Sequence, residues 1–326
     1  MNKAIFSAAI LAATGFGHAA VAQDCNWVPE RPVNVIVPWG AGGTTDANAR
    51  QLATALQERF GVPFNVVNRT GGNGVTGHTA ISRARPDGYT IGAATVEIDT
   101  MHWFGLTDLT YEDITPIALM NMPAAGVIVN ADSPFDSLTE LLDYARENPG
   151  ELTASGTALG GIWHLALAGM LEAEGMDPQA IRWVPSQGSA SALQELLAHG
   201  VDMVTPSLEE GKSLIDSGEV RALAYMSDTP SQAFPDVPLT ADELDSGWTL
   251  AAFTSISGPK DLPENITCSY EAALEEIVAS DRWAEFRASL GAPVVWGDAA
   301  QLRSVMEAYD ESLGATIEAI GMKKND

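Results

Sequence analysis

Basic residues are scarce in this chain of 326: Lys and Arg number 17 against 43 Asp and Glu, a formal charge of −26 at pH 7. Nucleic acid is thereby excluded as a partner, because phosphate contacts demand a basic surface. No acidic tail carries the excess, which is spread over the whole chain. Such a distribution reads as a solubility adaptation, suited to a salty habitat where screening weakens self-repulsion. Histidine is as sparse, five scattered residues without metal-ligand spacing, and the two cysteines, Cys25 and Cys268, form no metal motif. Neither a metal nor a cofactor is expected. Catalysis finds no support either: there is no G-x-S-x-G elbow and no H-E-x-x-H, and the S-x-x-K match at 257–260 has Pro259 inside it. After the N-terminus no segment reaches the ~18 uninterrupted apolar residues of a membrane helix, so no membrane insertion is expected.

What is present begins with an export signal. One lysine, Lys3, precedes the short apolar run "AIFSAAILAATGF", and small residues stand before a cleavage point after Ala22. That three-part pattern reads as a signal peptide over 1–22, and hence as a periplasmic protein. An oxidising compartment permits Cys25 and Cys268 to pair, tying the N-terminus to the C-terminal third.

Strand and helix signals then alternate. "VNVIV" (33–37) is β-branched and ends at Pro38; Ala49, Leu52, Ala53, Leu56 and Phe60 recur at helical spacing, with Gly61 as a stop. Thr44, Thr45 or Asp46 is the expected cap of that helix. A second strand (64–68), a glycine loop (71–77), a short helix and a third strand from Tyr89 follow. Two apolar strands near 116–120 and 125–130 read as a crossover. The rhythm then restarts with a capping box from Ser137 to Glu140. The fold class is therefore α/β with mostly parallel sheets flanked by helices. Lobe 1 is expected over 23–124, lobe 2 over 125–246, with 247–326 returning to lobe 1.

The stretch "PWGAGGTTD" (38–46) between the first strand and helix is a recipe for holding an anion. Backbone N–H groups and the positive end of the helix dipole converge there. It fails as a P-loop, since no lysine follows, and as a dinucleotide fingerprint, since Thr45 stands where the third glycine belongs. "GNGVTG" (72–77) does fit G-x-G-x-x-G, but it lies in the second β–α unit without an acidic residue at the required distance.

The segments "RPVNVIVPWGAGGTTDANAR", "VVNRTGGNGVTGH", "RPDGYTI", "SPFDSLTELLDYARENPGEL" and "SALQELLAHGVDM" occur in this order. Together they resemble the TctC/Bug family, the extracytoplasmic solute-binding receptors of tripartite tricarboxylate transporters. The resemblance implies a two-lobed, type II-like periplasmic binding protein, joined at hinge crossovers and acting as a monomer. It implies a small carboxylate as ligand and membrane permease subunits as partners. The ligand carboxylate would be gripped by backbone groups of two loops, one per lobe. The first comprises Trp39, Gly40, Ala41, Gly42, Gly43, Thr44, Thr45 and Asp46, with Asp46 orienting the loop rather than touching the anion. The second spans 155–164 and offers Ser155, Gly156, Thr157, Ala158 and Gly160. There this sequence departs from the family, carrying glycine at 161 where serine or threonine is usual, so a different ligand is implied. Thr205 and Ser207 close a further strand end, as do Ser186, Gln187 and Gly188. Glu97 and Asp99 end the third strand and read equally as ligand contacts or solvated charges, whereas His102, Trp103, His164 and Arg69 read as structural. A carboxylate-sensing subunit and a secreted enzyme on the same scaffold are the alternatives.

Overall fold

The computed structural model describes residues 25–324; the leader read over 1–22 lies outside them. Ten strands are described: β1 (Val33–Val37), β2 (Phe64–Asn68), β3 (Thr90–Gly92), β4 (Ile114–Asn121), β5 (Gly126–Asn130), β6 (Thr153–Ser155), β7 (Arg182–Trp183), β8 (Met203–Val204), β9 (Val220–Tyr225) and β10 (Thr254–Pro259). The α-helices are α1 (Thr44–Phe60), α2 (Val75–Ser82), α3 (Leu138–Glu147), α4 (Ile162–Ala173), α5 (Ser189–Leu197), α6 (Leu208–Ser217), α7 (Thr240–Glu243), α8 (Glu264–Val278), α9 (Asp281–Ser289) and α10 (Ala299–Ala319).

The strands form two five-stranded sheets, ordered β2-β1-β3-β10-β4 and β7-β6-β8-β5-β9. β1 is an inner strand buried at every position but Asn34, which is why its other four positions are β-branched. Its parallel neighbours run in register from Val33 opposite Phe64 and from Asn34 opposite Thr90. The sheets are mixed: β3/β10, β10/β4, β5/β8 and β5/β9 pair antiparallel.

The chain passes from one sheet to the other through residues 122–125 and returns near 250–253. These passages bond to each other, Ala125 N–H to Leu250 O at 2.9 Å and Ala252 N–H to Pro123 O at 2.8 Å. An apolar core containing Val127, Leu165, Met306 and Ile317 continues from the second sheet to α10 on the first. At the N-terminal end Cys25 is bonded to Cys268 of α8, with Cα atoms 5.4 Å apart. Trp27 packs there between Tyr89 and Tyr270.

One local expectation is corrected. The N-cap of α1 is Gly43, so Thr44, Thr45 and Asp46 occupy its first turn, and no side chain caps it. α3, α9 and α10, by contrast, are capped by the side chains of Ser137, Ser280 and Asp298.

Candidate functional site

A cleft of about 300 Å³ opens where the two sheets face each other across the crossing segments. Three helix starts line it: Thr44–Asp46 of α1, Ile162–Trp163 of α4 and Ser189–Ser191 of α5. Their N-caps are Gly43, Gly161 and Gly188, and none of the three is closed by a side-chain hydrogen bond. The first N–H groups of a helix have no intrahelical partner. Uncapped, they present positive potential to whatever the cleft holds.

The first loop is held rigidly from behind. Asp46 is buried; its Oδ2 accepts from Gly42 N–H at 3.0 Å and from Arg50 Nε at 2.8 Å, and its Oδ1 from Asn68 Nδ2 at 2.9 Å. Burial by itself would raise the Asp46 pKa, but the bonds from Arg50, Gly42 and Asn68 overcome it and hold the carboxyl below its usual range. Gly42 turns the loop at φ +91°, a conformation that L side chains rarely adopt. Asn68 Nδ2 also donates to Trp39 O at 2.9 Å. The Trp39 indole donates to Thr95 Oγ1 at 3.1 Å, and Thr95 donates to Glu97 Oε2 at 2.6 Å. Behind Thr95, His78 Nε2 accepts the Thr95 N–H at 3.0 Å, which puts the ring proton on Nδ1, facing Gly74 O at 2.8 Å. Full burial depresses the His78 pKa to about 4, so the ring is neutral and serves as a bracket.

Glu97 is nearly inaccessible to solvent, in a short 3₁₀ turn after β3. Its Oε1 accepts the Ile162 N–H at the start of α4, 3.4 Å away. Burial pushes its carboxyl up, against the bonds from Thr95 and Ile162. Glu210, in the first turn of α6, also faces the cleft and accepts Ser207 N–H at 3.3 Å. Burial, opposed by Ser189 and Ser207, raises it to about 7. Trp39, Trp163 and Phe253 supply aromatic walls. Among the described residues no Lys, Arg or His lines the cleft.

The expected first-loop residues meet there: Trp39, Gly40, Ala41, Gly43, Thr44, Thr45 and Asp46 line the cleft, while Gly42 sits behind it as the turn. Of Ser155, Gly156, Thr157, Ala158 and Gly160 in the second loop, only Thr157 reaches the wall. Ser155 and Thr205 turn away, their hydroxyls donating to Val184 O and Trp163 O at 2.7 Å each. Gly156 is packed under Trp163 and Trp183. Ala158 accepts Gly161 N–H at 3.0 Å, Gly160 donates to His164 Nδ1 at 3.2 Å, and Ser207 is buried at the α6 cap. Short hydroxyl side chains at strand ends satisfy backbone carbonyls, and nothing in their spacing separates that use from ligand binding. Glycine at 161 has a steric reason, since a Cβ there would stand 2.9 Å from the Thr157 Cβ. Gln187 and Gly188 line the cleft and Ser186 does not; Asp99, His102, Trp103, His164 and Arg69 lie off it.

Glu210, Asn121, Trp163 and Phe253 escaped sequence reasoning. So did Arg287 of α9, fully buried behind Asn121. Its Nη1 donates to Asn48 at 3.0 Å and its Nη2 to Asn121 at 2.6 Å, with Glu209 at 3.4 Å. The first turn of a helix that follows a strand end was the available signal for Glu210 and Trp163. Arg287 carried none.

A family model described as the tripartite tricarboxylate transporter family receptor matches residues 48–322. The chain belongs to that family. It is thus a receptor of the tripartite tricarboxylate transporter family. BugT of Bordetella pertussis is 28% identical, over 99% of both chains. The solved structure of the periplasmic binding protein BugD is 27% identical with a TM-score of 0.83, covering 91% of this chain and 100% of that one. The R. palustris protein Rpa4515, solved with adipate, has the same identity and TM-score, over 90% of this chain and 98% of its own.

Proposed function

We propose that the protein captures a small carboxylate in this cleft and delivers it to membrane permease subunits of a tripartite transporter. It acts outside the cytoplasm as a monomer and turns nothing over. The two lobes, 23–124 with 247–326 and 125–246, close on the ligand by bending at the paired crossings, as expected of hinged receptors. One observation carries the reading. The N–H groups of Thr44 and Thr45, uncapped at the start of α1, face a cleft walled by Trp39 and braced from behind by Asp46. A carboxylate seated there needs no cationic side chain, because charge-assisted bonds to several backbone amides contribute about 1.5–3 kcal/mol each. Adipate in the R. palustris relative is an organic acid of the same size class.

The test is calorimetric titration of a carboxylate panel against wild-type protein and Gly43→Leu. A Cβ at Gly43 meets nothing closer than 4.0 Å, so the substitution leaves the fold intact while its side chain enters the cleft. Binding of at least one acid at micromolar concentration or below is expected, weakened a hundredfold or more in the variant. Equal affinity in the two proteins would remove the loop from the site.

A further inference from the structure

The resemblance to the family implies a ligand carboxylate gripped by backbone groups of two loops, one position in each half of the molecule. The second position is not free in this chain. Glu97, projecting from the first sheet, places its Oε1 3.4 Å from the Ile162 N–H at the start of α4. That backbone donor is where an anion would seat against the second loop. The Glu97 side chain is fixed in place, its other oxygen taking the 2.6 Å bond from Thr95, whose hydroxyl in turn receives the Trp39 indole N–H.

The rest of the wall has the same sign. Glu210 adds a second carboxylate to the same cleft, and Asp46 has its charge matched by Arg50 outside the cleft. Above about pH 7, where Glu210 has released its proton, seating a further anion beside Glu97 and Glu210 would bring like charges together out of water, which is strongly unfavourable. Glu210 stands against the α5 start through the Ser189 side chain, which leaves the α1 start, among the three described helix starts on the cleft, without an acid set against its N–H groups on the cleft side.

We propose that Glu97 fills the anion position at the start of α4 and so converts the cleft into a receptor for a ligand with one carboxylate and one ammonium group. The carboxylate seats on the α1 amides and the ammonium meets Glu97 and Glu210, among the faces of Trp39, Trp163 and Phe253. Those aromatic faces favour a cation at close range. A charge-matched ligand relieves the cost of holding two carboxylates in a poorly solvated cleft, and specificity then comes from repulsion of the second acid group as much as from attraction of the amine. This inference rests on the carboxylate-receptor reading and names its ligand class.

Matched probes test it on the purified protein: 6-aminohexanoate against adipate and hexanoate, 4-aminobutanoate against succinate and butanoate, and L-alanine and L-leucine against propanoate and 4-methylpentanoate. In calorimetric titration at least one amine-bearing acid is expected to bind 30-fold or more tightly than its amine-free counterparts. Glu97→Gln, which preserves shape, should reduce that preference tenfold or more. A dicarboxylate or plain monocarboxylate that binds better than its aminated partner overturns the role of Glu97 and leaves the carboxylate receptor standing. So does a folded Glu97→Gln protein with unchanged preference. Absence of binding by any acid in the wider panel overturns both. The wild-type pairs decide the question even if the variant fails to fold.

Discussion

Asp46 and Glu210 are acids on the same cleft wall, and their surroundings drive them in opposite directions. Asp46 collects three hydrogen bonds that favour its charged form, so its contribution to stability is present above the ordinary carboxylate range and is lost as pH falls through its lowered pKa. Glu210 is pushed by burial from 4.5 to about 7. The folded protein therefore holds a proton that the unfolded chain has released, and this contribution is full below 4.5 and lost as pH rises through about 7. Between pH 5 and pH 7.5 the melting temperature of wild-type protein should fall relative to that of Glu210→Gln, which cannot ionise. Parallel melting curves for the two across that range would show that Glu210 titrates normally. Neither environment could be seen in the residue string, where "SLEEGK" and "GTTDAN" look like ordinary helix starts.

At the scale of elements, the cleft is made by what the helix starts omit. α3, α9 and α10 close their first turns with their own side chains, whereas α1, α4 and α5 begin at glycine without a capping side chain of their own, and at α4 Glu97 takes the Ile162 amide instead. The backbone at Gly43 is extended, at φ −80° and ψ 169°, the geometry of an N-cap for any residue. Gly43→Asp should therefore keep or raise the melting temperature, by a few tenths of a kcal/mol of helix stabilisation. The same carboxylate occupies the anion's place, so titrations should show carboxylate affinity at least a hundredfold lower. A variant that gains the cap and still binds would sever the link between the uncapped turn and the ligand. Most elements were legible from periodicity and turn residues. The start of α1 was not, because Gly43, Thr44, Thr45 and Asp46 are all acceptable caps and the choice between them is made by what faces the turn.

Across the whole molecule, Arg287 ties α1 to the crossing strand β4 and to α6 of the second sheet through Asn48, Asn121 and Glu209. Burial lowers the Arg287 pKa and raises that of Glu209, and each is partly restored by the other. Removing one member of such a buried pair strands its partners. Arg287→Met should cost about 3–5 kcal/mol in denaturant unfolding. Adding Glu209→Gln should recover part of that loss, because it removes the stranded charge; a double variant no better than the single would separate the two residues. The brace lies directly behind the cleft lining at Asn121, so it also fixes where the two halves meet.

The chain's own order of residues determined its α/β alternation, the positions of its strands and helices, the glycine turn at 40–43 and the family to which these belong. All of these depend on neighbours within a few residues, through hydrophobic period, turn chemistry and capping. Tertiary structure alone decided which of the three glycine-capped turns keeps its amides free, which acids line the cleft and which arginine braces the crossing. Those outcomes depend on groups separated by tens to hundreds of positions, whose charges act strongly only once folding removes the water between them.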